Sequence, residues 1–384
     1  MDFNLTSEQD MLRQAVRDFA EGEILPRVED LDLKEEFSYE LTKKMADLGL
    51  FGITVDPKYG GQGLDYLSYV IVVEELARVD ASQAATVAAG NSLGIGPIYK
   101  YGSELQKQKY LPELCSGKKL WGFGLTEPEA GSDASAGKTS AELKNGKWVI
   151  NGSKIFITNA ANDMTLGCTV QCNTGKRLDG KNEISCIIVE NKTSGFTQKA
   201  MHKKMVWRSS NTAELYFDDV KVPEENILGK RGGGFKQMLD TLDSGRLAIA
   251  AMGLGGAQGA YEMALKYSKE RRQFGQAIST FEVNAFKLAD CATEIEAARS
   301  LLYKACWLKD QKKPFAKEAA MAKLYCSEVM GRVVNHGVQL HGGYGLMEEY
   351  KIARFYRDQK LLEIGEGTSE IQRLVIARSI GCYD

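Results

Sequence analysis

Apolar residues recur at three- and four-residue spacing through most of the first 119 positions. The stretches MLRQAVRDFAEGEI (11–24), YELTKKMADLGLFGI (39–53) and LSYVIVVEELARV (67–79) carry this pattern, which predicts amphipathic helices. Leu12, Val16 and Phe19 share one face of the first, and Thr6 with Gln9 fits a capping box at its start. GLFGITVDPKYGGQG (49–63) breaks the period with Gly and Pro and predicts a loop. SELQKQKYLPELCSG (103–117) predicts a short helix that ends at Gly117. From 120 to 229 the period shortens. KWVINGSKIFIT, MTLGCTVQC, EISCIIVE and AELYFDDVKV are rich in β-branched and aromatic residues, and KNGK, NTGKRLDGKN and NKTSG separate them. That reads as short strands joined by turns. From 230 to 384 the long period returns in three runs (234–274, 280–310 and 315–340), each long enough to lie antiparallel to its neighbours.

The zoning predicts an α+β chain of three regions: an N-terminal helical domain (1–119), a middle antiparallel β-barrel or sandwich (120–229) and a C-terminal helical bundle (230–384). Lys plus Arg total 49 and Asp plus Glu 51, for a net charge of −2. Phosphate polymers are held by a basic excess, so no nucleic-acid partner is expected. The local cluster Lys199, His202, Lys203, Lys204 and Arg208 reads as a solvated face. No apolar run approaches the ~18 residues that span a bilayer, and the acidic N-terminus lacks a signal-peptide pattern. The eight cysteines contain no CxxC pair, and three histidines supply no zinc spacing. Reduced thiols and a cytoplasmic location are the expectation.

Glycine is abundant, 39 residues against 7 prolines, which predicts tight turns and close backbone approaches. GLGGAQG (253–259) comes near a dinucleotide-binding fingerprint, the signature of a nicotinamide-dependent dehydrogenase. That fingerprint needs a preceding strand, and here the helical period is continuous from Phe235. Ala251, Gly255 and Gly259 instead form a small-residue face where two long helices are expected to approach closely. GKRGGG (229–234) lacks a Walker A ending and reads as a turn into a helix.

Five motifs remain: FGLTEPEAGSD (123–133), GSKIFITNA (152–160), ERRQFGQAI (270–278), VQLHGGYG (338–345) and RFYRDQKLLEIGEGTSEIQRLVIAR (354–378). In this order and spacing they resemble the acyl-CoA dehydrogenase family over essentially the whole chain. The resemblance implies an α domain, a β domain and a C-terminal four-helix bundle, with FAD between the last two. It places Phe123, Leu125, Thr126, Gly131 and Ser132 in a first flavin segment and Phe156 and Thr158 in a second. Arg271 and Phe274 match residues that reach a neighbouring subunit's FAD. Gln339, Gly342 and Gly343 match the pyrophosphate and adenosine loop, and Thr368, Ser369 and Glu370 the turn after the catalytic base. Ser132, Asp243, Arg246 and Arg378 match the path of CoA and pantetheine, with Gly365 and Gly367 beside the substrate.

The resemblance makes Glu366 the base that removes the α-proton of an acyl-CoA while a β-hydride passes to flavin N5, giving the trans-2-enoyl-CoA. A thioester acidifies its α-carbon only partly, so the carboxylate must face that C–H in a dry site. Donors must meet the charge that develops on the thioester oxygen, in the family the backbone N–H of the base and a ribityl hydroxyl. Some members carry the base just before the Arg of LDSGR; here that residue is Gly245, which leaves the role to Glu366. Gly365 stands where most straight-chain members have Tyr, so a branched, alicyclic or aryl-bearing acyl group is expected. Val206 and Trp207 also depart from the family pattern, with Trp207 either lining the CoA entrance or packing. Electron-transfer flavoprotein is the implied acceptor and a homotetramer the implied assembly. An enoyl-CoA reductase, a butyryl-type dehydrogenase and, outside the family, an NAD-dependent dehydrogenase or a helical scaffold are the competing readings.

Overall fold

The computed structural model describes residues 4–383. Helix α1 (Ser7–Phe19) opens with the expected capping box: Gln9 N donates to Thr6 Oγ1 at 3.2 Å and Thr6 N to Gln9 Oε1 at 3.1 Å. Then follow α2 (Val28–Lys34), α3 (Tyr39–Asp47), α4 (Tyr66–Ala77), α5 (Ala81–Ala89), α6 (Gly96–Tyr101) and α7 (Glu104–Cys115). Asp65 and Ser103 cap α4 and α7 by accepting backbone N–H groups. In α4 the apolar run YVIVV is buried on every side rather than on one stripe, which marks a central helix.

The middle region is one eight-stranded sheet: β1 (Leu120–Gly124), β2 (Ser140–Lys144), β3 (Lys147–Thr158), β4 (Thr165–Lys176), β5 (Asn182–Glu190), β6 (Phe196–Ala200), β7 (Thr212–Pro223) and β8 (Ile227–Leu228). Its order is β6-β7-β3-β2-β4-β5-β8, with β1 also pairing to β4. The hairpin pairings are antiparallel as the turns predict, but β1 runs parallel to β4 and β2 touches β4 in parallel at Ser140 and Asn173. The two halves face each other: Trp148, Ile150, Leu215 and Val220 of one half share a core with Cys168, Val170, Ile187 and Val189 of the other. Burial of both halves against each other gives the sandwich-like layer expected.

Three long helices dominate the last region: α8 (Gly234–Glu270), α9 (Glu282–Asp310) and α10 (Ala316–His341), followed by α11 (Ile352–Ile364) and α12 (Ser369–Ser379). A small hairpin of β9 (Arg272–Gln273) and β10 (Gln276–Ala277) links α8 to α9. Helix α10 packs against α8, α9, α11 and α12. The Gly-rich stretch lies inside α8, with no strand before it. A Cβ on Gly255 would crowd the Glu74 carbonyl group (2.9 Å to its carbon), and one on Gly259 that of Arg78 (3.0 Å). These glycines therefore seat α8 on the end of α4, a shorter partner than the long helix expected, while Gly253 meets Cys326 of α10.

One apolar core runs from Val16, Leu41 and Val72 through Trp121 to Leu247, Leu254, Val329 and Leu362, and the two helical regions share it by direct packing of α4 and α5 on α8. Each fully buried Leu or Val there stabilises the fold by roughly 1.5–3 kcal/mol. Among the described residues all eight cysteines are free, and only Cys382 is exposed. No described helix is long and apolar enough to cross a membrane, and no described cluster of His, Cys, Asp and Glu suits a metal ion. The basic cluster is only partly a solvated face. Lys199, His202 and Lys203 are exposed, but Lys204 is largely enclosed, donating to Ser210 O and to Thr212 Oγ1 at 3.0 Å.

Candidate active site

Helix α11 ends at Ile364 with Gly365 as its cap, and α12 begins after Thr368, whose Oγ1 accepts Ile371 N at 3.3 Å. Between them the chain turns sharply: Glu366 (φ 52°) and Gly367 (φ 93°) both adopt left-handed backbone. That conformation costs a Glu energy, and it persists where surroundings over-determine it. Here Gln372 Nε2 and Lys323 Nζ both donate to Gly367 O, at 2.8 and 2.7 Å, and both side chains are buried. Glu366 as a residue is partly exposed, yet its Oε2 has no exposed surface and no hydrogen-bond partner. Burial raises its pKa to about 7, opposed by the charges of Lys323 and then Arg246.

Gly245 of α8 faces this carboxylate. A Cβ there would overlap Glu366 Oε2 and stand 2.8 Å from its Cδ. Arg246, next in sequence, is buried, bonds Asp243 Oδ1 at 2.5 Å and leaves its Nε unpartnered. The structure thus brings Asp243, Gly245, Arg246, Gly365, Glu366 and Gly367 together. Ser132 and Arg378 are exposed, and neither bonds the base turn among the described residues. Tyr66 reaches the same region, its hydroxyl donating to Ser244 O at 2.9 Å.

The two expected flavin segments meet. Ile155 N donates to Thr126 O at 2.9 Å, and Lys154 Nζ donates to Leu125 O at 3.1 Å and to Glu127 Oε1 at 2.7 Å. Lys154 and Glu127 are a buried ion pair, and Glu127 further accepts the Lys138 and Thr139 N–H groups. Beyond Lys154 the pairing with β7 slips, a bulge that throws Phe156 out of the sheet at φ 63° and 62% exposed. Thr158 is half-buried two residues on, while Phe123 is buried and Leu125 and Thr126 are half-buried at the end of β1.

A cavity of about 590 Å³ lies elsewhere on the C-terminal region, lined by Tyr267, Arg271, His341, Gly342, Gly343 and Tyr344 among others. The structure so joins Arg271 to the glycine loop. Gln339 is exposed on the last turn of α10 outside the lining, and Phe274 projects from the β9–β10 hairpin at 94% exposure. Nothing lies within 4 Å of a Cβ built on Gly131, Gly342 or Gly343, and the buried Ser369 hydroxyl has no partner, whereas Thr368 caps α12 and Glu370 is exposed. A bared aromatic at a strained backbone, an open glycine cradle beside an arginine and an orphaned hydroxyl suit a flat, anionic dinucleotide, and FAD fits these residues.

Lys323, Gln372, Lys154 and Glu127 were not foreseen. A signal existed for Lys323: it sits on the apolar stripe Ala319, Ala322, Cys326, Met330, where a lysine needs a special reason. Trp207 proves to pack: its N donates to Asp358 Oδ1 at 2.9 Å and its Nε1 to Asp358 O at 3.1 Å, tying the β region to α11.

Models of the acyl-CoA dehydrogenase N-terminal, middle and C-terminal domains match residues 6–118, 122–220 and 232–381. A probable acyl-CoA dehydrogenase of Bacillus subtilis, YngJ, is 51% identical over 99% of this chain and 100% of its own. The solved butyryl-CoA dehydrogenase of Megasphaera elsdenii shares the fold at TM-score 0.95 and 45% identity, covering 99% of this chain and 100% of that one. A chain from a structural study of the electron-transferring flavoprotein of Acidaminococcus fermentans matches at TM-score 0.96 and 45% identity over 100% of both. The chain belongs to the acyl-CoA dehydrogenase family of FAD-dependent oxidoreductases.

Proposed function

We propose that this dehydrogenase acts on short acyl-CoA thioesters, with Glu366 as the base, and passes electrons to an electron-transfer flavoprotein. The observation that carries the reading is the unpartnered, enclosed Oε2 of Glu366 in the space left by Gly245. A carboxylate with an affinity for protons near neutrality is matched to taking the α-proton and releasing it later. Phe123–Thr126, Phe156 and Thr158 would hold the flavin, with Arg271, Gly342 and Gly343 of a neighbouring copy completing the site, which favours a homotetramer. Bound FAD supplies the acceptor for the hydride that leaves the β-carbon. As the family resemblance implies, the Glu366 N–H would stabilise charge on the thioester oxygen.

The butyryl-CoA relative and the electron-transferring flavoprotein study support a short substrate and that partner. A branched acyl group remains part of the reading at Gly365, which places no side chain beside the base. A Cβ at this position would meet Leu361 Cδ2 at 2.9 Å and Leu361 O at 3.3 Å, so a larger residue here would crowd the end of α11 as well as the substrate. The test is anaerobic mixing of the holoenzyme with butyryl-, isobutyryl-, isovaleryl-, cyclohexanecarboxyl- and phenylpropionyl-CoA, scored by loss of flavin absorbance. Short straight and branched substrates should bleach the flavin; Gly365→Tyr should depress the branched ones far more than butyryl-CoA. Equal losses sink the branched assignment, and absence of bleaching by every short acyl-CoA sinks the reading as a whole.

A further inference from the structure

Lys323 has no exposed surface, an unusual state for a lysine, and sits on the face of α10 that packs on the base turn. Its Nζ reaches Gly367 O at 2.7 Å, and the carboxylates around it act through space rather than by a direct bond. An ammonium buried without an ion pair needs charge compensation from farther out. The charged groups around it are Glu366 on the turn, Arg246 on α8, Glu363 on α11 and Glu370 on α12. Glu366 is the enclosed carboxylate of this set, and it is faced by Arg246 with Asp243 on α8, by Tyr66 and Tyr69 on α4, and by Lys323 on α10. Ser327 anchors the other end of the contact, its hydroxyl 2.7 Å from Lys323 O and 3.0 Å from Leu362 O, so α10 and α11 are clasped just before the turn.

We propose that Lys323 is a positioning residue for the catalytic base: it pins the Gly367 carbonyl, holding Glu366 in its left-handed turn opposite Gly245, and sets its positive charge against the carboxylate. This rests on Glu366 being the base. One observation and one argument distinguish it from mere packing. Gln372 already donates to the same carbonyl, so hydrogen bonding alone does not demand an ammonium, and a methionine would fill the same apolar stripe without a charge. The charge of Lys323 opposes the effect of burial on Glu366, whose pKa is raised to about 7; burial in turn lowers that of Lys323 to about 8. The cation therefore fades above pH 8, just where the base is fully ionised.

The experiment measures exchange of the α-proton of butyryl-CoA into deuterated buffer by the holoenzyme across pH, for wild type, Lys323→Met and Lys323→Arg. Removing a facing cation should move the exchange midpoint upward by roughly one to two units, a ~10–100-fold loss below the original midpoint, with KM little changed. Lys323→Arg keeps the charge and should restore the midpoint. An unmoved midpoint in Lys323→Met, or an Arg variant displaced as far as the Met variant, overturns the proposal. If Lys323→Met fails to fold, Lys323→Arg against Lys323→Gln decides the same question. Absence of exchange in wild type, or full exchange in Glu366→Gln, instead overturns the assignment of the base, so the two failures are distinguishable.

Discussion

Substituting Gly245→Ala perturbs a single spot. The three heavy atoms nearest a new Cβ all belong to the Glu366 carboxyl group: Oε2 inside contact distance, Cδ at 2.8 Å and Oε1 at 3.3 Å. No backbone blocks the methyl group, so the helix itself tolerates it. Alanine is favoured over glycine inside a helix by about 0.8–1 kcal/mol, so the folded state should not lose stability. The carboxylate, a flexible end, must swing away by at least about 1 Å to regain ordinary contact. A displacement of that order at a reacting group costs roughly 100-fold in rate, or about 2.7 kcal/mol of transition-state stabilisation. Stopped-flow flavin bleaching by butyryl-CoA should therefore slow by about two orders of magnitude while Tm holds or rises. A Gly245→Ala enzyme that bleaches within about threefold of wild type would falsify the claim that this glycine makes room for the base.

Two further outcomes follow from buried charge. The folded-state pKa of Glu366 is raised from 4.5 to about 7, so the group's contribution to stability is present below about 4.5 and lost as pH rises through about 7. Glu366→Gln should accordingly gain Tm relative to wild type across that window, besides losing α-proton exchange; a difference in Tm that stays constant from pH 4.5 to 8 contradicts the enclosed carboxylate. Lys154→Met leaves Glu127 buried without its partner and frees both flavin segments, so a loss of about 3–5 kcal/mol by urea unfolding and a lowered FAD content after gel filtration are expected. Full FAD retention with unchanged stability contradicts the coupling.

The helices and the main strands were legible because each rests on local rules. Thr6 with Gln9, the turn residues around 144–147 and the 3.6-residue period of α8 act within a few residues of chain. Short strands were less visible. Strand β1, WGFG within a Gly-rich motif, is held by parallel pairing to a strand some forty-five residues later, and β6 alternates too weakly to show a face. Trp207 illustrates the limit: its sequence context offered two roles, and the choice was made by Asp358, which lies 151 residues away on α11.

By itself the sequence carried the helix–strand–helix order and the ordered motifs, and it singled out Glu366 as the candidate base, because periodicity and motif spacing are properties of the chain. It also determined that GLGGAQG continues a helix, since no strand precedes it. Only the tertiary structure decided what surrounds the base. Gly245 is 121 positions from Glu366 and Lys323 is 43, and their meeting depends on how α8 and α10 pack against the turn between α11 and α12. Burial, the bulge that bares Phe156 and the pairing of Lys154 with Glu127 arise in the same way. Local sequence chooses a helix or a turn, but desolvation and long-range electrostatics exist only once distant segments close around a common interior.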